Sequence, residues 1–187
     1  MSLRHGILGL LGYTPMAGYD LMKVFNSSLK YFWSAQASQI YRELDGMSAE
    51  GLIRTEEERQ RGKTTKTLFV PTKKGEAEFD RWLREGKVEP ARTRNHFLLR
   101  LFFQSRIGAP SVRSIVEEKK ARAEAEAAQL QAVLEGVIPR TAARVGDELA
   151  TLCWKGAAEY GLALCEAEVR WAEDFLARIG AFEGDRR

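Results

Sequence analysis

With 187 residues, 44% of them hydrophobic and 29% charged, the chain can bury a substantial core, which excludes disorder along its whole length. No apolar run approaches the roughly 18 residues of a membrane span, and the short apolar stretch from Ile7 to Tyr13 lacks a signal-peptide cleavage pattern, so a cytoplasmic protein without membrane contact is expected. The net charge is only +3, and two histidines with two widely spaced cysteines supply neither a zinc knuckle nor a redox pair.

Leu3, Ile7, Leu10 and Leu11 recur at helical spacing and end at the breaker-rich Gly12–Tyr13–Thr14–Pro15. A second helix is expected from Met16 to Leu29, burying Tyr19, Leu21, Met22 and Phe25. The aromatic cluster Tyr31, Phe32, Trp33 follows. Ser34 then stands as the N-cap of a third helix that runs to about Glu50 and stops at Gly51. Its Ala37, Ile40, Leu44 and Met47 share one face and are assigned to the core. Leu52 to Glu57 reads as a strand, RQRGKTTK as a polar hairpin tip, and Thr67 to Val70 as the returning strand. Thr72 caps a fourth helix carrying Ala77, Phe79, Trp82 and Leu83. The order of helix, helix, helix, hairpin and helix is that of a winged helix-turn-helix over residues 1–90.

Beyond residue 90 the strand signals stop, and residues 91–187 read as a helical dimerisation and effector domain. The fold class is therefore mainly α with a small β-wing. HFLLRLFF forms a dense apolar helix. After Pro110 and Ser111, Val116, Ala123, Leu130 and Val137 lie a heptad apart, a coiled-coil-like seam closed at Pro139. The last helix, from about Asp147 to Ile179, carries two apolar stripes. One runs through Leu149, Cys153, Gly156, Tyr160, Leu164, Ala167, Trp171 and Phe175. The other includes Trp154, Leu162, Cys165, Val169 and Leu176 and is assigned to a two-fold interface with a second copy. Both cysteines are read as small apolar residues on buried faces.

The chemistry points to nucleic acid. On the third helix, Ser38 and Arg42, flanked by Gln39 and Tyr41, lie opposite the core face and suit base edges and phosphates in a major groove. Residues 59 to 74 contain Arg59, Arg61, Lys63, Lys66, Lys73 and Lys74 with no acidic residue among them. Arg61, Lys63 and Lys66 are assigned to a phosphate-binding wing. Gly62–Lys63–Thr64 is no nucleotide loop, because Glu57 stands where that pattern needs glycine. His5 and His96 sit in no ligand-spaced cluster, so neither a cofactor nor catalysis is expected. Two other readings stand beside the DNA reader. One is an effector pocket at the dimer interface, lined by Trp154, Tyr160 and Trp171, and the other is a winged-helix adaptor that binds protein instead of DNA.

SLRHGILGLLG, GYDLMKVF, FWSAQASQIYREL with EGLI, FVPTKKGEAEFDRWL, LLRLFF and RWAEDFLARI together resemble the PadR family of transcriptional regulators, in the branch with the longer C-terminal helical domain. The resemblance covers nearly the whole chain. It implies a homodimer bound to double-stranded operator DNA at the nucleoid, usually as a repressor, often released by a small aromatic or hydrophobic effector. By motif it implies DNA contacts from Ser38, Gln39 and Tyr41 and wing roles for Lys63 and Lys66. The chain departs from the family at Asp45–Gly46, where basic residues are common, and at Thr64–Thr65 and Phe69, where the wing usually has proline and tyrosine.

Overall fold

The computed structural model describes residues 2–29, 33–58, 66–86 and 95–184. Two compact units make up the chain, Met1–Glu89 and Pro90–Arg187.

In the first unit, helices α1 (Ser2–Tyr13), α2 (Gly18–Ser28) and α3 (Ala37–Ala49) precede an antiparallel hairpin and helix α4 (Lys73–Glu85). The hairpin pairs β1 (Ile53–Glu58) with β2 (Lys66–Pro71), Ile53 opposite Pro71 and Glu58 opposite Lys66. Helical spacing turns Ile7, Leu8 and Leu11 of α1, Leu21 and Phe25 of α2, and Ile40, Leu44 and Met47 of α3 into one core with Leu52 and Ile53. Met16, between α1 and α2, joins that core and also bonds to the hairpin. Its N–H donates to the Phe69 carbonyl at 3.4 Å and its carbonyl accepts from the Phe69 N–H at 2.8 Å. The hairpin is thereby anchored on the helices. Gly51, at φ 70°, takes the left-handed turn that carries the chain from α3 into β1. Thr72 caps α4 as its sequence position predicts: its hydroxyl accepts from the Gly75 N–H at 3.2 Å and donates to the Gly51 carbonyl at 2.7 Å.

Three local expectations change. Gln36, not Ser34, caps α3, through a reciprocal pair in which the Gln36 N–H donates to the Gln39 side-chain oxygen at 2.8 Å. Ala37 consequently sits exposed in the first turn and not in the core, and Tyr19 projects outward from α2. Tyr31 and Phe32 lie outside the described residues.

The second unit begins with α5 (His96–Phe103) and a 3-10 turn (Gln104–Arg106). It continues through α6 (Ala109–Ala132), a π-helical turn (Val133–Val137) and α7 (Ile138–Val145) to the long α8 (Glu148–Gly184). Helices α6 and α8 run antiparallel. Leu130 lies against Gly161, Lys119 pairs with Glu168, Lys120 with Glu173 at 2.8 Å, and Arg113 with Glu183 at 2.6 Å. Val116, Ala123 and Leu130 are buried at the heptad spacing the sequence predicts. Pro139 does not close this element; it stands at the start of α7, directly after the π-helical turn, and the chain stays helical on both sides of it. The Asp147 carboxylate then caps α8 by accepting from the Ala150 N–H at 2.9 Å. No described helix is long and apolar enough to cross a membrane.

Candidate nucleic-acid interface

The inward row Ile40, Leu44 and Met47 fixes the rotation of α3 and leaves Ser38, Gln39, Tyr41 and Arg42 exposed on its other sides. Arg4 of α1 fixes its position further. The guanidinium donates twice to Glu50, at 2.8 and 2.9 Å, and through Nε to Glu43 at 3.3 Å. The hydrogen bonds from Arg4 hold the Glu50 carboxyl below the usual carboxylate range. Beneath this, His5 is buried, stacks on Trp82 with ring centroids 4.7 Å apart, and places Nε2 3.3 Å from Glu78, so its role is in packing.

The N-terminal turn of α2 joins the exposed face of α3 to the hairpin. A Cβ on Gly18 would come within 2.8 Å of Tyr41 Cε1, so the tyrosine ring lies directly on the start of α2 while remaining 43% exposed. Two residues on, Asp20 accepts a hydrogen bond from the ammonium of Lys66, the first residue of β2. That bond pushes the Lys66 pKa up, and Asp20 is itself favoured by the positive end of the α2 dipole. Beside them Lys23 Nζ lies 4.4 Å from the ring centroid of exposed Tyr19. The sequence pattern places Tyr19 in the core and gives Gly18, Asp20 and Lys23 no role at the site. The signal that marks them is the string GYD directly after the connection between α1 and α2, where a helix N-terminus meets its neighbours.

The basic run looks different in space. Arg61 and Lys63, with Arg59, lie outside the described residues. Lys66 is held by Asp20, and the Lys74 ammonium donates to the Glu50 carbonyl at 2.7 Å. Glu56, Glu57 and Glu58 of β1 face outward across from Leu68, Thr67 and Lys66. The start of β2, free of acids along the chain, is therefore faced by acids across the hairpin.

In the second unit the side of α8 that packs inside the subunit carries much of the second stripe together with Trp171 and Phe175 of the first. Ala158, Cys165 and Ala172 are buried within the subunit, and Leu176 packs on Ile115, Val116 and Ala172. Trp154, Leu162 and Val169 are half-buried along the same side. Of the residues assigned to the two-fold interface, Cys165 is thus buried and Leu176 packed inside the subunit, where small residues let α6 approach closely, while Trp154, Leu162 and Val169 keep part of their surface exposed. The outward stripe is the rest of the first, with Leu149, Cys153, Tyr160 and Leu164 all exposed and Leu152 beside them. Cys153 is accordingly a surface residue, while burial pushes the Cys165 thiol pKa up. Trp154 and Trp171 are 17 residues apart on one helix, about 25 Å along its axis, too far to line one small pocket with Tyr160 within a subunit. Trp171 instead stacks on Phe175 and meets Phe97 edge-on. A shallow groove of about 200 Å³ lies between α5 and α6, lined by His96, Phe97, Arg100, Ile115, Glu118, Lys119 and Arg122. Among the described residues no cluster of metal-ligand type occurs.

Residues 7–81 match the family described as Transcriptional regulator PadR-like, and residues 93–180 match the one described as Virulence activator alpha C-term. Over 133 residues the chain is 31% identical to the negative transcriptional regulator PadR of Bacillus subtilis strain 168, covering 71% of this chain and 73% of that protein. The chain belongs to the PadR-like family of transcriptional regulators. Among solved structures it is similar to Bacillus subtilis PadR in complex with operator DNA, at 27% identity and a TM-score of 0.79, covering 96% of this chain and 99% of that one. Bacillus subtilis PadR in complex with p-coumaric acid matches at 26% identity and a TM-score of 0.74, with 96% and 99% coverage. In this PadR-family chain, α2, α3 and the β1–β2 hairpin make up the winged helix-turn-helix, and α5 to α8 form the C-terminal helical unit. The relatives are named as regulators and not as enzymes, in keeping with an interface built for binding.

Proposed function

We propose that this PadR-family chain binds double-stranded operator DNA as a homodimer, represses transcription there, and is released by a small aromatic or hydrophobic effector. The observation that carries the reading is the convergence of a polar, outward α3 face and the start of β2 on the first turn of α2. Ser38, Gln39 and Arg42 then read base edges from the major groove, while Tyr41 and Lys66 reach phosphates. Arg61 and Lys63 add phosphate contacts from the wing and strengthen the dependence on salt. The similarity to a PadR bound to operator DNA supports this reading, and the name of the Bacillus subtilis relative supports repression. The similarity to a PadR bound to p-coumaric acid supports an effector.

Dimerisation uses the outward α8 stripe of Leu149, Leu152, Tyr160 and Leu164, with Leu98, Leu99, Phe102 and Phe103 of α5 as further uncovered apolar surface. The protein then works in the cytoplasm, at the nucleoid. Selection of DNA from a random pool by the purified protein tests the reading. The expected result is a two-fold symmetric motif. Failure to enrich any sequence at low salt overturns DNA recognition, and an asymmetric single site overturns the dimer.

A further inference from the structure

The contact between Asp20 and Lys66 carries a consequence for how the wing engages DNA, and it rests on the DNA-binding reading above. Lys66 opens β2 at the end of the paired strands nearest the turn, and Asp20 lies in the first turn of α2. Both side chains are 39% exposed, so a competing anion can reach either one. Glu58, the cross-strand neighbour of Lys66, adds a second carboxylate on the same side of the hairpin. The ammonium that a phosphate would seek is therefore already neutralised. Asp20 also sits beside Gly18, on which the exposed ring of Tyr41 rests, so its negative charge lies at the edge of the surface offered to the duplex.

We propose that Asp20 is an electrostatic brake on the wing: it holds Lys66 in the free protein, and a DNA phosphate must displace it for the wing to seat. Exchange of one anion for another gives little net gain on loosely fitting DNA. On a well-fitted site the neighbouring α3 contacts hold the phosphate in place long enough to complete the exchange. Asp20 thus lowers affinity for arbitrary DNA more than affinity for the operator, and it acts on specificity by penalising the wrong partner.

The test is a fluorescence-anisotropy titration of a labelled mixed-sequence duplex and of a duplex enriched from a random pool, across a series of salt concentrations. It uses the full chain and three variants, Asp20→Asn, Lys66→Gln and the double change. Asp20→Asn should tighten binding to the mixed-sequence duplex by roughly three- to tenfold at low salt, tighten the selected duplex less, and steepen the salt slope by up to about one. The gain should vanish when Lys66 is already Gln. An unchanged or weakened affinity in Asp20→Asn overturns the brake and makes Asp20 a positioning residue for Lys66. An equal gain in the Lys66→Gln background also overturns it, since the effect would then be one of general charge. Matching circular dichroism spectra and melting temperatures exclude misfolding, and Asp20→Ser provides a second neutral variant. If the unaltered protein binds neither duplex, the DNA-binding reading itself fails, a result distinguishable from failure of the brake.

Discussion

Gly75 shows how a single hydrogen atom decides whether an element can pack. A Cβ at that position would stand 2.1 Å from the Leu52 carbonyl oxygen, which is backbone and cannot swing aside. Gly75→Ala should push the first turn of α4 off the entry to β1 and break the Thr72 cap. The expected cost is about 2–3 kcal/mol, or a fall in Tm on the order of 10 °C for a unit of this size, read from thermal melts by circular dichroism. Gly46, inside α3, faces open space where a Cβ would stand. Gly46→Ala should therefore hold or raise Tm, since alanine is the better helix former by up to about 1 kcal/mol. Equal losses in the two variants would sink the close-approach argument. Gly18 is an intermediate case, because its neighbour is the Tyr41 ring, a side chain that can rotate away. Gly18→Ala should leave Tm within a few degrees yet weaken binding to the selected duplex several-fold. Undiminished affinity would remove Tyr41 from the contact surface.

At the scale of elements, α1 is tied to α3 by one guanidinium shared between Glu43 and Glu50. The folded Glu50 pKa is depressed from its ordinary 4.5, so its stabilisation is complete above that value and is lost as pH falls through the lower folded value. Arg4→Met keeps the apolar stem and removes the charge. Its urea midpoint should lie below that of the unaltered protein at neutral pH, and the two should converge as pH falls through the lowered folded pKa of Glu50. Parallel curves would mean that the pair is fully screened. Periodicity makes most elements readable in advance: Ile40, Leu44 and Met47, or Val116, Ala123 and Leu130, declare both helix and buried side because each pattern is local. The sidedness of α8 is not local, since both of its stripes are apolar. What decides it is the partner, with small Ala158, Cys165 and Ala172 admitting α6 and Glu168 and Glu173 meeting Lys119 and Lys120 at the edges. The same holds at the interface, where Asp20 and Lys66 are 46 positions apart and nothing near either one announces the other. Exposure of Ser38, Gln39, Tyr41 and Arg42 was legible in the sequence, whereas the partners that position them were not.

For the whole molecule, the outward stripe of α8 sets the constraint. Leu149 is 70% exposed, Tyr160 69% and Leu164 51%, on a helix whose other side is already used inside the subunit. Large apolar side chains left uncovered in a row need a matching surface, and in a family of regulators the surface always present is a second copy of the same helix. The residues between them, Gly156, Ala157, Ala163 and Ala167, are small and exposed, so a second backbone would meet little obstruction there. A charge placed there costs the isolated subunit little, because each site is solvated before assembly, but it would be buried without a partner in a dimer. Leu164→Asp with Tyr160→Asp should therefore keep the helical circular dichroism signal and sediment as a monomer, while affinity for a two-fold selected duplex falls by orders of magnitude because two linked half-sites become independent. The same charge at Cys165, buried against α6, should instead unfold the second unit. A double variant that still sediments as a dimer would shift the interface to the exposed face of α5, where Leu98, Leu99, Phe102 and Phe103 remain to be covered.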